Sequence, residues 1–579
     1  MLALRNTLKH TLLVGMAVVG YLLVLAWNED YGDASSERIS HSPAALEVRD
    51  NGGDGEGFLN AESNAPVSPD IPSQTREEIQ TSNSNTASVD RSSEQSAIVS
   101  VLLDHMIVDI DRVGGDIVGV RLPSYPLTLG GDQPFSLLDR SSKLYYVAQS
   151  GFAGADGVDA RGRPTYELST NSLKMEEGQS ELRVRLAHVD ETGVVYNKIF
   201  TFKRDQYDVG VRFTVDNNAD RAWKGTVFAQ IKRDETPDGS GLALGQTTFL
   251  GGAYYKDADE PYNKLALDEM SSGALNERIE GGWIAFIQHY FMSAWIPDEA
   301  QVYDYRTDHV NNQFRILGFQ TALRTVPSGE NTAWDMTFYA GPKEKGALRE
   351  LAPGLEYGVD YGPLFFLSEF FFDVLNILVN GVWGISGIGN WGFAIVLLTL
   401  MIKGALWPLS AKAYRSMAHM RRLQPQMMQI KERYGDDRQM MSQKMMEMYK
   451  TEKINPLGGC LPMLAQMPIF LAFYWMLLES VELRQAPFFA WIQDLSVKDP
   501  YFILPILMGA SMFLQQKLSP TPPDPMQANV MRIMPIMLSL LFMFFPSGVV
   551  LYWLCSNLIS IGQQWYITRS VEAASGRAS

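Results

Sequence analysis

A single ammonium group interrupts the stretch LLTLMIKGALWP at residues 397–408. Ten of its twelve residues are apolar, small or proline, and Lys403 is one of the other two. It lies twelve residues past Trp391, about 18 Å along a helix. A charge at that depth of a membrane costs roughly 3 kcal/mol. Two arrangements offset the cost. The long stem can lift the charge to the nearer interface, or the group can face a hydrated cavity. Other apolar segments supply polar lining for such a cavity: Gln466, Ser511, Gln515, Gln516, Ser556, Asn557, Gln563 and Gln564. One cation among many amides, with no acid in these segments, favours a wet pocket that receives an anionic group from elsewhere. That chemistry is attraction and hydrogen bonding, not bond making.

The remaining motifs carry little. GIGNWG at 387–392 matches the spacing of a dinucleotide loop, but it opens an apolar segment, and residues 405–418 hold no acid for a ribose. Glycines at a sharp turn into a membrane explain it. No GxxxxGK[ST], HExxH or GxSxG occurs, and the seven histidines are scattered. The two cysteines, Cys460 and Cys555, lie in apolar segments without CxxC spacing, as small core residues do. No catalytic residue, metal ligand or cofactor site is expected, and no enzyme activity.

Lys403 needs elements to position it, and charge shows where they lie. Residues 27–364 carry 30 Lys and Arg against 52 Asp and Glu; the rest of the chain carries 19 against 13. An acidic soluble domain is joined to an apolar, slightly basic region, and the net charge of −16 speaks against a general nucleic-acid binder. Residues 1–28 suit an uncleaved transmembrane anchor, since Arg5 and Lys9 precede an uncharged run and no A-x-A site follows. Residues 29–96 are too polar to bury a core and form a disordered linker. From 97 to 345 the period is two, as in ELRVRLAHV, with Gly, Asp and Asn clusters between runs. This predicts a large antiparallel β-sandwich. Residues 363–383 suit an interfacial amphipathic helix, because Glu369 and Asp373 share one face.

Spans follow at Trp391–Pro408, Ile454–Leu478, Pro500–Gln516, Val530–Phe545 and Val549–Thr568, the last two separated by FPSG. With the anchor they make six transmembrane helices in a multidomain membrane protein, five of them forming a core over 391–568. Residues 404–453 hold ten Lys and Arg against five acids, and the tail 569–579 holds Arg569 and Arg577. Those parts and both termini are expected in the cytoplasm, and the sandwich in the periplasm. Within the core, 410–455 predicts a cytoplasmic hairpin of two helices, ended by Gly435 and restarted by Asp436 or Asp437. It holds nine of the 27 methionines. Met417, Met420 and Leu423 form one stripe, and Met441, Met445, Met448 and Tyr449 another; Met427, Met440 and Met446 flank them. Such surfaces suit shape-tolerant docking as well as a plain helical seam.

NPLGGCLPMLAQMPIFLAFYWML, SVELRQAPFFAWIQDLS, DPYFILPILMGASMFLQQKLSP and FPSGVVLYWLCSNLISIGQQW closely resemble the YidC family of membrane protein insertases in its Gram-negative bacterial form. The resemblance covers nearly the whole chain. It implies a five-helix insertase core with a hydrophilic groove, open to cytoplasm and lipid and closed toward the periplasm, in the bacterial inner membrane. A positive groove residue attracts the polar segment of an incoming chain. Lys403 stands where the family usually has arginine, which keeps the charge but loses the planar fork. Thr399, Tyr552 and Trp553 match positions that face substrate, with Trp553 in place of a common tyrosine. The same groove makes Gln466 and Gln515 substrate-binding candidates. The sandwich resembles the family's β-supersandwich. Nascent membrane proteins, the Sec translocon, the lipid bilayer, and a ribosome or targeting factor at 410–455 are the implied partners, without nucleic-acid sequence recognition.

Two other classes compete. A channel or transporter calls for paired ionisable groups or inverted repeats among the spans, and neither is evident. An anchored carbohydrate enzyme accounts for the sandwich but not for five further spans.

Overall fold

The computed structural model describes residues 97–576, apart from 171, 237–247, 312, 383, 436, 453–460 and 520–524. The expected anchor and linker, the first residues of the second core span and the last three of the tail lie outside the described residues. All described residues belong to one compact unit.

The alternation of apolar and polar residues becomes a sandwich of two antiparallel sheets, with ten and nine strands. Strand Glu181–Val189 buries Leu182, Val184 and Leu186 and exposes Arg183 and Arg185, so the period of two translates directly into an inner and an outer face. The ten-stranded sheet is built around Trp223–Asp234, paired with Tyr145–Ala153 and Phe314–Thr321. The nine-stranded sheet is built around Asn331–Pro342, paired with Phe291–Pro297 and Asp208–Asn217. Trp223, Trp295, Trp334 and Phe213 fill the space between the sheets. Phe291–Pro297 departs from alternation, because every one of its residues is buried. Its outer face is covered too: Met292, Ala294 and Ile296 join one apolar cluster with Leu348, Leu355 and Tyr361 and with the helices of the core.

Ten helices matter for the site. Helix α1 (Lys345–Leu351) lies under the sandwich, and α2 (Phe365–Asn380) follows. Next are α3 (Trp391–Ala405), α4 (Trp407–Arg422), α5 (Gln424–Tyr434) and α6 (Arg438–Thr451). The last four are α7 (Leu461–Glu479), α8 (Ile503–Leu518), α9 (Pro525–Phe542) and α10 (Ser547–Gly576). The FPSG turn separates α9 from α10 as expected. Helix α10 packs against α3, α4, α7 and α8.

Each expected span after the sandwich contains a helix, but the count of six does not follow from length and composition. Among the described residues one segment, Gly362–Asn380, is long and apolar enough alone, and α3 with α4 qualifies as a pair bent by 66°. The segment that qualifies alone is the one assigned to the interface from its two acids. One of these, Glu369, is paired with Lys345 at 2.6 Å and Arg349 at 3.1 Å, so pairing with α1 offsets its charge.

The region 410–455 holds three helices rather than two. Helix α4 packs on α10, burying Ala411 and Tyr414 against Ile567, and only α5 and α6 form the hairpin. The break falls before Gln424, with Pro425 in the first turn of α5. There a missing N–H costs nothing, whereas inside one long helix it would cost a hydrogen bond. Asp437 caps α6, accepting from the amides of Gln439 at 3.0 Å and Met440 at 2.9 Å. Met427 is not a flanking residue: it is buried in the seam, where the Tyr449 hydroxyl meets its sulfur at 3.9 Å.

Candidate functional site

Lys403 sits in the last turn of α3 and is 7% exposed. Its ammonium donates to Gln466 Oε1 on α7 at 3.0 Å and to Ser560 Oγ on α10 at 2.8 Å. Gln466 passes the contact on, donating from Nε2 to Ser556 Oγ at 2.6 Å. Gln563 Nε2 approaches the Lys403 carbonyl at 3.4 Å. Three helices therefore meet at one cation whose partners here are all neutral. Tyr552, Ser556 and Ser560 recur every four residues, which places them on one face of α10. The Tyr552 and Tyr414 hydroxyls extend the network to Gln466 and Ser560.

No acid lies among these partners, so within the cluster nothing of opposite sign neutralises a charge on Lys403. Two acceptors nearby are unsatisfied: Gln563 Oε1 and Gln564 Oε1 are buried without a partner among the described residues. Buried polar atoms of this kind ordinarily meet water or a ligand. The cluster thus offers a positive charge, hydroxyls that can donate or accept, and spare amide acceptors. That set suits the carboxylates and the peptide groups of another chain.

The six sequence-predicted residues separate into groups. Lys403, Gln466 and Tyr552 are linked by hydrogen bonds. Thr399 is buried one turn before Lys403, but its hydroxyl donates to its own helix, to Ile395 O at 2.7 Å. Trp553 stands edge-on to Phe470 at 4.5 Å and beside Phe542 at 5.1 Å. It therefore closes the apolar side. Gln515 on α8 is outside the cluster, and its carbonyl accepts from Ser519 at 3.2 Å. Ser560 escaped the sequence reading. Its signal was available in the spacing 552, 556, 560, which needs α10 to be one continuous helix. Among the described residues no group of His, Cys, Asp and Glu could hold a metal ion.

The end of the core remote from Lys403 is laced shut. Asn390 caps α3 by accepting from Phe393 N at 3.0 Å, and its amide donates to Pro487 O and Phe488 O at 3.2 and 3.0 Å. Asp499, 1% exposed, accepts from Leu504 N at 2.7 Å and from Trp491 Nε1 at 3.1 Å. Ser547 donates to Asp494 O at 2.8 Å. One loop, Ser480–Asp499, thereby ties together the starts of α3, α8 and α10.

Comparison with known proteins covers the same regions. Residues 99–374 match the family described as YidC periplasmic domain, and residues 383–574 match that described as 60Kd inner membrane protein. A protein of Pseudomonas putida strain GB-1, named membrane protein insertase YidC, is 48% identical over 579 residues, covering 99% of this chain and 100% of its own. The protein of the same name from Azotobacter vinelandii strain DJ is 47% identical, covering 98% of this chain and 99% of its own. A solved active YidC insertase with its first transmembrane domain resolved is 18% identical at TM-score 0.37, over 81% of this chain and 92% of its own. That likeness is too loose to carry an argument.

Proposed function

The chain belongs to the YidC family of membrane protein insertases, and on that premise we propose that the Lys403 cluster is the groove through which it passes polar segments of nascent chains. It is an inner-membrane insertase with a periplasmic domain. The observation that carries the groove reading is the ammonium of Lys403, held among three helices by neutral partners only. An incoming acidic or polar segment finds there a cation without a counter-ion, and amide acceptors without a donor, among the described residues. The uphill step is moving that segment into the membrane, and the polar cluster lowers it. Partition of the following apolar segment into lipid then drives the process, with no need for hydrolysis. Helix α3 has 15 residues and α8 has 16, about 22 and 24 Å long. Both fall short of a hydrocarbon core of about 30 Å, so the bilayer thins beside them and the path shortens.

The orientation follows from charge. The basic excess of 404–453 places α5 and α6 in the cytoplasm with both termini, and the sandwich in the periplasm. Six spans, counting the anchor at 1–28, satisfy that arrangement, with α2 at the interface. The laced loop Ser480–Asp499 then closes the groove on the periplasmic side. A ribosome or targeting factor meets the basic hairpin, and the insertase works alone or beside the Sec translocon.

The test is insertion of a client with an acidic translocated segment. Lys403→Arg should keep insertion and Lys403→Glu should impair it. Photocrosslinkers placed next to Lys403 should capture the nascent chain during translation. Equal insertion by all three proteins would remove the groove charge from the mechanism.

A further inference from the structure

The hairpin formed by Asp116–Pro126 and Pro134–Arg140 projects a tip whose sequence is Leu-Thr-Leu-Gly-Gly-Asp-Gln, residues 127–133. Leu127 and Leu129 are each 52% exposed. Scattered exposed leucines are ordinary on a soluble sheet. These two share a single tip with only one charge, Asp132, and the tip is fastened to the helical core. Arg484 Nη2 and Gln485 Nε2 both donate to the carbonyl of Pro126, at 2.7 and 2.8 Å. That carbonyl immediately precedes Leu127. The Arg484 guanidinium also lies over Phe135 at 5.9 Å, and Gln485 takes a left-handed backbone with φ 59°. A non-glycine residue holds such a conformation where its surroundings impose it. The hairpin register slips between Leu122 and Pro126, and a bulge of this kind re-aims a strand end.

Arg484 and Gln485 belong to the loop that laces the starts of the core helices. A few residues on, Pro487 and Phe488 are bonded to Asn390, the cap of α3, and Phe489 is 66% exposed. The tip and the first turn of α3 are therefore both bonded to one short stretch, 484–488. Phe393 in that turn and Ile506 in the first turn of α8 are exposed.

We propose that this tip is a membrane contact: Leu127 and Leu129 enter the headgroup boundary of the periplasmic leaflet, and the clamp on Pro126 holds them there. The occupant is lipid, because the tip is fastened to the same stretch as the first turn of α3, whose exposed Phe393 a bilayer covers. The inference rests on the membrane reading above for the plane of the bilayer. The sandwich then touches the membrane as well as the helices, and its height above the groove has two supports rather than one.

The test uses the full chain in phosphatidylethanolamine–phosphatidylglycerol vesicles containing a phospholipid with a diazirine near the glycerol end of its acyl chain. After illumination, adducts are mapped by mass spectrometry. Adducts are expected on the peptide holding Leu127 and Leu129, as on Ile506, and not on Val189, an exposed sandwich residue remote from the clamp. Leu127→Ser with Leu129→Ser, both at exposed positions, should bring tip labelling down to that of Val189 while Ile506 is unchanged. Labelled Ile506 with an unlabelled tip would overturn the inference and leave the membrane reading standing. Crosslinks from the tip to protein rather than lipid would overturn it in favour of a protein partner. If neither site is labelled, the membrane reading itself fails, and this inference fails with it.

Discussion

Glu479→Gln should loosen the seat of the sandwich on the helices by about 3–5 kcal/mol, the usual cost of removing one partner from a buried ion pair. Lys343 follows the last strand of the sandwich, and Glu479 is the last residue of α7. Their charged atoms are 2.9 Å apart, with side chains 1% and 8% exposed. Next to them the His289 ring meets Leu478 O at 2.9 Å. Glutamine leaves the Lys343 ammonium buried with a neutral partner, and Lys343→Met leaves the carboxylate in the same position. The double variant Lys343→Met with Glu479→Leu buries no charge and should recover most of the loss, since apolar replacement of a whole buried pair is near neutral or better. A multidomain chain does not unfold in one step, so the assay is local. Hydrogen exchange of the Lys343 amide, bonded to Tyr290 O at 2.9 Å, should accelerate in each single variant. At about 1.4 kcal/mol per factor of ten, the gain is roughly two to four powers of ten. It should return nearly to the parent rate in the double variant. Singles that exchange like the parent, or a double no better than the singles, would refute the reasoning.

Burial holds the Glu482 carboxyl up at about 7, with Glu344 adding repulsion. The folded state therefore binds the extra proton between about 4.5 and 7, and stability falls as pH rises through that window. Glu482→Gln should flatten this dependence and stabilise the loop around residue 482 above pH 7 by on the order of 3 kcal/mol, read as slower hydrogen exchange of its amides; an unchanged pH profile would contradict it. Met428, Met440 and Met446 are exposed on the hairpin, so Gln at all three should leave helicity unchanged while slowing insertion and weakening crosslinks to nascent chains. Met427→Gln should instead destabilise the hairpin, and circular dichroism separates the two outcomes. Deleting 97–330 should leave measurable insertion but reduce the amount of protein in the membrane, because Leu348, Leu355 and Tyr361 lose the strands that cover them. Complete loss of insertion by a truncated protein stably present in the membrane would show that the sandwich is required.

The sequence by itself determined the large divisions. Charge separated an acidic domain from a basic apolar one, the period of two in ELRVRLAHV predicted its strand and inner face, and FPSG predicted the break between α9 and α10. Those signals are local: one turn or one strand contains them. It also singled out Lys403, because a lone cation in an apolar run conflicts with its surroundings at any tertiary arrangement. Only the tertiary structure decided which polar groups answer it. Gln466 and Ser560 lie 63 and 157 residues away from Lys403, and their meeting depends on the packing of α3, α7 and α10. Thr399 and Gln515 were equally plausible by type, yet one spends its hydroxyl on its own helix and the other lies outside the cluster on α8. The strand Phe291–Pro297 had no alternation to read because helices cover its second face, a fact that no property of its own seven residues records. The clamp of Arg484 and Gln485 on Pro126 was likewise out of reach, since a backbone carbonyl leaves no mark in the sequence and its partners are more than 350 residues distant.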